Sequence, residues 1–217
     1  MAVSGMPDTI IYLMRHGETA ENACRPFILQ GNSVNGPLSE NGRRQAAALA
    51  TLLESVPFKA FFASPMLRAQ QTAEAAIGPR PLTLETMKAF EEVNVGQWER
   101  LSWNQIKEKY PRESAEFLAN PGTVPYYGGE SYVDVQKRTL PVLEDLAWKY
   151  VGHTIGIVAH NVVNKSILAS ILQLPIARAR TLHQTNCCVN IIRWTENGPE
   201  VEVLNSDLHV RHLPQTL

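Results

Sequence analysis

The sequence predicts an α/β fold: a three-layer α/β/α sandwich around a mostly parallel central sheet. Short apolar runs of strand length alternate with segments whose apolar residues recur at helical spacing. Parallel strands need long crossover connections, which helices usually supply. The repeated order of strand and helix therefore favours a sheet covered by helices on both faces.

The first half of the chain supplies two strand and helix pairs. Residues 9–15, TIIYLMR, are predicted to be a buried strand, and a helix is predicted to begin after Ser39 as its N-cap. Residues 59–64, KAFFAS, form the second predicted strand. The next helix is expected to open with Pro65 at its first position and to close at Gly78.

The second half is predicted to complete the sheet and to carry an insert. A weaker strand is placed within residues 81–90, and residues 94–129, rich in Trp, Pro and Gly, are expected to form a small helical lid. A long helix follows, with a kink expected at Pro141. The last elements are a strand ending at His160, a helix directly after it, and the closing strands CVNIIRW and VEVLN.

Size and composition indicate one domain and exclude several functions. We expect residues 1–8 to be a disordered leader and residues 9–217 to be a single domain. A net charge of −1 without a basic block argues against nucleic acid as a partner. The absence of a membrane-length apolar run and of a secretory signal predicts a cytoplasmic protein that does not bind membranes. The oligomeric state stays open.

Charged and nucleophilic residues gather where the predicted strands end. Arg15 and His16 follow the first strand, Ser64 and then Arg68 follow the second, and His160 ends a later one. In open α/β sheets the ligand crevice lies at the carboxyl ends of the strands. These residues are therefore expected to share one crevice.

This combination of residue types favours phosphoryl transfer. Two guanidinium groups provide the forked donors that suit a tetrahedral phosphate. A histidine that is neutral near pH 7 can attack phosphorus, and we assign that role to His16. His160 and Asn22 would complete the set of donors around the phosphate. His160 could instead be a core histidine, and Asn22 could simply cap a helix.

The leaving alcohol needs a proton, and a pair of acidic residues could supply it. Glu91 and Glu92 lie just after the third predicted strand. Either carboxyl group, close to the phosphate and partly desolvated, could act first as an acid and then as a base for water. The residues alone do not choose between them.

Six motifs, in this order, resemble the histidine phosphatase superfamily with its phosphoglycerate mutase-like fold. They are LMRHGETAEN, QGNSVNGPLSENGRRQA, ASPMLRAQQTAE, EEVNVGQWE, GGESYVDVQKR and IGIVAH. The resemblance implies a phosphohistidine intermediate on His16 and neither a metal nor a cofactor. It implies a phosphate pocket formed by Arg15, His16, Asn22, Arg68 and His160. The family's acid lies four residues before the glycine of the G-x-W-E motif, which selects Glu92.

Three positions depart from the family pattern. Asn161 stands where the family has glycine after its second histidine, and we place it on the substrate side of the site. Asparagine tolerates left-handed backbone, so the turn is expected to survive. Arg100 replaces the glycine of a W-E-G motif, and Asn35 stands near a usual aspartate. The segments VAHNVVNKSIL and TNCCVNII are similar to a smaller branch that includes the 2-carboxyarabinitol 1-phosphatases.

Several alternative readings compete with this one. Cys187 and Arg193 have the C-x5-R spacing of thiol phosphatases, but the residues between them lack glycine and favour a strand. His209 and His212 could hint at a metal, yet no third ligand is suitably spaced and we expect both to be solvated. A second acidic substrate group could suit Lys107, Lys109 and Arg112, although three basic residues on a helix are usually solvated.

The sequence thus predicts a metal-independent phosphatase for a small phosphorylated metabolite. A cofactor-dependent phosphoglycerate mutase-type phosphotransferase is the alternative enzyme. A phosphate-binding domain without turnover is the least favoured reading, because every expected catalytic residue is present.

Overall fold

A computed structural model describes residues 5–213, and its centre is a mixed sheet of six strands. The strands are β1 (Thr9–Arg15), β2 (Phe58–Ala63), β3 (Leu84–Thr86), β4 (Thr154–Ala159), β5 (Val189–Thr195) and β6 (Gly198–Ser206). Their order is β3-β2-β4-β1-β5-β6, in which the first four strands are parallel and the last two are antiparallel to their neighbours. The predicted fold class is confirmed.

Helices cover both faces of the sheet. They are α1 (Ala20–Ala23), α2 (Glu40–Leu52), α3 (Leu67–Ile77), α4 (Trp103–Lys109), α5 (Pro111–Ala119), α6 (Tyr132–Lys149) and α7 (Asn161–Ile171). Short 3-10 helices span Lys88–Phe90, Gly96–Trp98 and Ile176–Thr181. Helices α2 and α3 pack together, as do α6 and α7. Within the described chain, no helix is long and apolar enough to cross a membrane.

Each face of the sheet has its own apolar core because side chains alternate along a strand. Ile11 and Leu13 of β1 belong to the core that α6 and α7 cover, together with Phe62. Met14, which follows Leu13, and Phe61, which precedes Phe62, belong to the core under α2 and α3. β1 and β2, in the middle of the sheet, therefore contribute to both cores, as strands of a mainly parallel sheet do.

The predicted helix boundaries are correct at two ends and wrong at a third. The Ser39 side chain accepts a hydrogen bond from the amide of Gly42 at 2.9 Å and caps α2. Gly78 ends α3 with a φ of 56°. The start of α3 was predicted too early: its N-cap is Met66, whose amide donates to Ser64 Oγ at 3.3 Å, so Pro65 lies in the preceding turn.

The weak strand and the insert are found, but in reduced form. β3 is only three residues long and continues into a 3-10 turn. The predicted insert contains the two short helices α4 and α5, while its role as a lid stays a prediction. Helix α6 runs through Pro141 without interruption, and the kink there also stays a prediction. Residues 1–4 of the predicted leader lie outside the described residues.

Strand register brings the two histidine-bearing strand ends side by side. β1 and β4 are adjacent and parallel, with Arg15 level with Ala159. The amide of His16 donates to the Ala159 carbonyl at 3.1 Å, which extends this pairing by one residue. On the other side of β4, the Ser64 amide donates to Val158 at 3.0 Å. The carboxyl ends of β1, β2 and β4 therefore form one edge.

Candidate active site

Two imidazoles meet at this edge of the sheet. The ring centroids of His16 and His160 are 5.0 Å apart, with 58° between the ring planes. Both side chains are buried, at 2% and 0% exposure. Among residues 5–213, neither ring nitrogen of His160 has a hydrogen-bond partner. A buried polar atom without a partner is costly, which indicates a place for a ligand.

The hydrogen bonds of His16 define which ring nitrogen is free to react. Its Nδ1 lies 2.7 Å from the carbonyl oxygen of Gly17, so Nδ1 carries the proton and donates it. Nε2 is then the nitrogen with the lone pair, and it accepts from Nε of Arg68 at 3.3 Å. A side chain at position 17 would place its Cβ 2.7 Å from the Gly42 carbonyl oxygen, which explains why glycine follows His16.

Two guanidinium groups surround the imidazoles. Arg68 is fully buried, and its terminal nitrogens donate to the carbonyls of Val34 at 2.8 Å and Gly31 at 3.2 Å. Arg15 donates to the Gln184 carbonyl at 2.6 Å. Burial lowers the pKa of both; that of Arg68 falls to about 10, which still leaves Arg68 charged at neutral pH.

Burial and these cations keep the two histidines neutral. Desolvation is the main cause that holds the pKa of His16 and of His160 well below 6.5, and the charge of Arg68 is the next cause for both. At pH 7 the Nε2 lone pair of His16 is therefore available. A neutral imidazole beside two fixed positive charges is the arrangement that nucleophilic attack on a phosphoryl group requires.

The structure separates the two candidate acids. Glu92 is 5% exposed and lines the cavity that also contains His16 and Arg15. Its carboxylate accepts from the amides of Val93 at 2.9 Å and Val162 at 3.4 Å. Glu91 lies outside this cavity and lines a different, more open depression. The residue selected by the motif count is thus the one that faces the imidazole site.

An ion pair fixes the segment that carries Glu92. Arg138 donates to both carboxylate oxygens of Glu130, at 2.8 and 3.1 Å, and to the carbonyls of Ala89 and Glu92. Glu130 also accepts from the amide of Asn94 at 2.9 Å. The GGES and EEVNVGQWE motifs therefore hold each other in place.

The cavity itself has a volume of about 200 Å³. Asn22 and Asn161 line it, whereas Arg68 and His160 are fully buried and do not line it. Asn22 also forms a reciprocal cap with Thr19 at the start of α1, which confirms its capping role, while its phosphate contact stays a prediction. Asn161 starts α7 and does not adopt the left-handed backbone that was expected there.

Left-handed backbone occurs instead at Arg100, another position that departs from the family pattern. Arg100, in place of the family's glycine, has a φ of 61° and donates its amide to the Leu29 carbonyl at 2.9 Å. Asn35 accepts from the Leu67 amide at 2.7 Å, at the first turn of α3. Both substitutions thus affect loop geometry at the border of the site.

Sequence reasoning missed two cations beside the cavity. Lys165 lines it and also a neighbouring cavity of about 410 Å³, and Arg180 lies at the rim of the first. Lys165 follows Asn161 by four residues on α7, a spacing that places both on one helix face and could have revealed it. Lys107, Lys109 and Arg112 are exposed and line neither cavity.

The rejected thiol-phosphatase motif is a strand, as predicted. Residues 189–195 form β5, and Arg193 pairs with Asp8, Glu200 and Glu202. Burial raises the pKa of both Cys187 and Cys188, the latter to about 12, so neither thiol is activated.

The histidines near the carboxyl end differ from each other. His209 was expected to be solvated, which is wrong, because it is half-buried and its Nε2 lies 3.0 Å from the Cys187 carbonyl oxygen. His212 is exposed, as expected. In the part of the chain that the structure describes, no three His, Cys, Asp or Glu side chains are grouped as metal ligands.

Fold and site together place a neutral imidazole and two arginines at the strand ends of an α/β sandwich. The family model of the histidine phosphatase superfamily (branch 1) matches residues 11–207. The chain belongs to this family, which confirms the resemblance of its motifs.

Individual relatives agree with the family match. The chain is 25% identical to phosphoserine phosphatase 1 of Hydrogenobacter thermophilus over 92% of this chain and 93% of that protein. It is 29% identical to the 2-carboxy-D-arabinitol-1-phosphatase of Triticum aestivum, over 85% of this chain and 37% of that longer protein. The structure of YhfR from Bacillus stearothermophilus superposes with a TM-score of 0.86 at 30% identity, covering 94% of this chain and 100% of that one.

The buried imidazoles make the stability of the fold depend on pH. The unfolded chain takes up protons on His16 and His160 as the pH falls through about 6.5, while the folded chain does not until much lower pH. The free energy of unfolding should therefore fall below about pH 6.5, by up to about 1.4 kcal/mol per pH unit for each imidazole. Urea titrations at several pH values in this range measure the free energy of unfolding. We expect this free energy to fall less steeply with falling pH in His16→Asn than in the wild-type protein. An unchanged dependence on pH would contradict the assignment.

Proposed function

We propose that the protein is a metal-independent phosphomonoesterase that works through a phosphorylated His16. The observation that carries the proposal is that His16, whose Nε2 accepts from Arg68 Nε at 3.3 Å, lines the same cavity as Glu92. The relatives named as phosphatases support the hydrolytic direction. Buried free thiols support a reducing, cytoplasmic location.

In the first step, His16 Nε2 forms a bond to phosphorus while the ester P–O bond breaks. The incoming phosphate replaces Nε2 as the acceptor for Arg68, and Arg15 neutralises further charge on the equatorial oxygens. Glu92 gives its proton to the leaving oxygen, which prevents release of a costly alkoxide. The two arginines supply the positive charge that metal ions supply in other phosphatases.

In the second step, water attacks the phosphohistidine and Glu92 takes its proton. The bond between Nε2 and phosphorus breaks, inorganic phosphate leaves, and the starting protonation states return. The unpartnered nitrogens of His160 provide a hydrogen bond to the phosphoryl group in both steps. A mutase would return the phosphoryl group to the substrate instead. The short segment between Glu92 and the GGES motif favours hydrolysis.

We further propose that the substrate carries a second anionic group. Lys165 and Arg180 face the same cavity as His16, and neither forms an ion pair with a carboxylate of residues 5–213. Burial, followed by the charge of Arg15, lowers the pKa of Lys165 to about 8, so it is still charged at pH 7. Unpaired cations in a cavity wall suit a carboxylate or second phosphate on the substrate.

Replacing the nucleophile should abolish the covalent intermediate. We expect His16→Ala to lose labelling by a radiolabelled phosphate donor and at least about 10³-fold in kcat/KM. The matched control is His153→Ala, which removes an exposed histidine and should leave both unchanged. Wild-type turnover in the His16 variant would remove the mechanism.

The acid role of Glu92 predicts a dependence on the leaving group. Glu92→Gln should cost about 10² to 10⁴-fold with an alkyl phosphate and much less with p-nitrophenyl phosphate, whose leaving group needs no proton. Glu91→Gln changes the neighbouring carboxylate outside the cavity and serves as the control. Equal losses with both substrates would refute the assignment.

The second anionic group can be tested with substrate pairs that differ by one carboxylate. The wild-type protein should prefer 3-phosphoglycerate to glycerol 3-phosphate, and phosphoserine to phosphoethanolamine. Lys165→Met should reduce this preference by about tenfold to hundredfold. Lys107→Met, on an exposed helix face, should leave it intact. No preference in the wild-type protein, or an equal loss in the control, would contradict the proposal.

A further inference from the structure

A carboxylate outside the cavity organises the loop of residues 31–34. One oxygen of Glu99, Oε1, accepts from three backbone amides: Gly31 at 3.1 Å, Ser33 at 3.2 Å and Val34 at 3.1 Å. The other oxygen accepts from the Ser33 hydroxyl. The loop has no helix or strand of its own, so these bonds determine its conformation.

The other side of the same loop holds Arg68. The carbonyls of Gly31 and Val34, two of the residues whose amides bind Glu99, accept from the terminal nitrogens of the guanidinium at 3.2 and 2.8 Å. The remaining donor, Nε, is the one that reaches His16 Nε2 at 3.3 Å. The loop therefore lies between a carboxylate on one side and the guanidinium at the reacting nitrogen on the other.

We propose that Glu99 is a positioning residue for phosphoryl transfer: through the loop of residues 31–34 it sets the direction of the Arg68 guanidinium at the nucleophile. The inference rests on the proposed function. An arginine side chain has several rotatable bonds, and two fixed carbonyls restrict its planar fork to one orientation. Small errors in the placement of such a group cost a large part of the rate.

Packing around Gly31 shows how tightly the loop is seated. A Cβ at this position would lie 2.8 Å from Val95 Cγ2, 3.0 Å from Glu99 Oε1 and 3.1 Å from the Val93 carbonyl oxygen. Glycine therefore lets the amide approach the carboxylate. Val93 directly follows Glu92, so the loop also contacts the segment that carries the acid.

Glu99 itself does not line the cavity of the candidate site. It cannot take the role of the acid, and its effect on turnover must pass through the loop and Arg68. The amides would lose their shared acceptor in Glu99→Ala, and the two carbonyls would no longer be held.

A double-mutant cycle tests this inference, with p-nitrophenyl phosphate as substrate. Glu99→Ala should lower kcat by about tenfold to hundredfold with a smaller change in KM. In the Arg68→Ala background, the same substitution should cost less than about twofold, because its effect acts through Arg68. Glu99→Gln keeps an amide-accepting oxygen and should restore most of the activity.

Other outcomes would overturn the inference. If the losses in kcat of the two single variants multiply in the double variant, Glu99 does not act through Arg68. If Glu99→Ala lowers only the thermal stability, Glu99 is a residue of general structural importance. If Glu99→Ala does not fold, Gly31→Ala displaces the same loop and should show the same dependence on Arg68. Glu108→Ala, an exposed carboxylate on α4, is the control. Failure of the proposed function itself would appear separately, as the absence of labelling on His16.

Discussion

A buried guanidinium without a buried carboxylate partner is the constraint around which this site is built. Arg68 is fully inaccessible, yet its three donor groups meet two backbone carbonyls and a neutral imidazole. Neutral acceptors satisfy its hydrogen bonds but leave its charge uncompensated at close range. The charges of Glu92, Glu21 and Glu99 offset it in part without a direct hydrogen bond, and an incoming anion would compensate it further. Burial is the larger cause of the lowered pKa of His16 and His160, and the charge of Arg68 adds to it, so the cation that would attract an anion also favours a neutral imidazole.

Three acidic residues of the motifs hold loops or helix starts in place. Glu18, next to His16 and Gly17, accepts from Ser39 Oγ at 2.7 Å and Asn41 Nδ2 at 3.0 Å, at the start of α2. Glu99 and Glu130 hold backbone amides and an arginine in the same way. Glu92 is the motif acid that lines the cavity.

The sequence predicts the parts of this site that follow a repeating pattern or a motif. Strand ends placed Arg15, His16 and His160 at one edge because parallel strands share their direction. Residue types alone could not show which of Glu91 and Glu92 faces the site. The two are adjacent in an irregular segment, where no helical or strand periodicity assigns side chains to a face. Glu99 binds amides 65 to 68 positions away, and no local spacing records such a contact. Lys165 was predictable from helix geometry, because it follows Asn161 by four residues on the helix that begins after His160, but its residue type alone gave no reason to separate it from a solvated lysine.

Residues at strand ends were predictable and residues on connecting segments were not, and this difference has a physical basis. The groups proposed to bind phosphate project from strand ends and helix starts, which cross-strand hydrogen bonds hold in fixed register. The groups that would meet the rest of the substrate lie on α7, on the 3-10 helix Ile176–Thr181 and on the loop around His183 and Gln184. Connecting segments tolerate change because little of the core depends on them. One chemistry can therefore stay fixed while the substrate changes, which is how relatives with different names can share this fold.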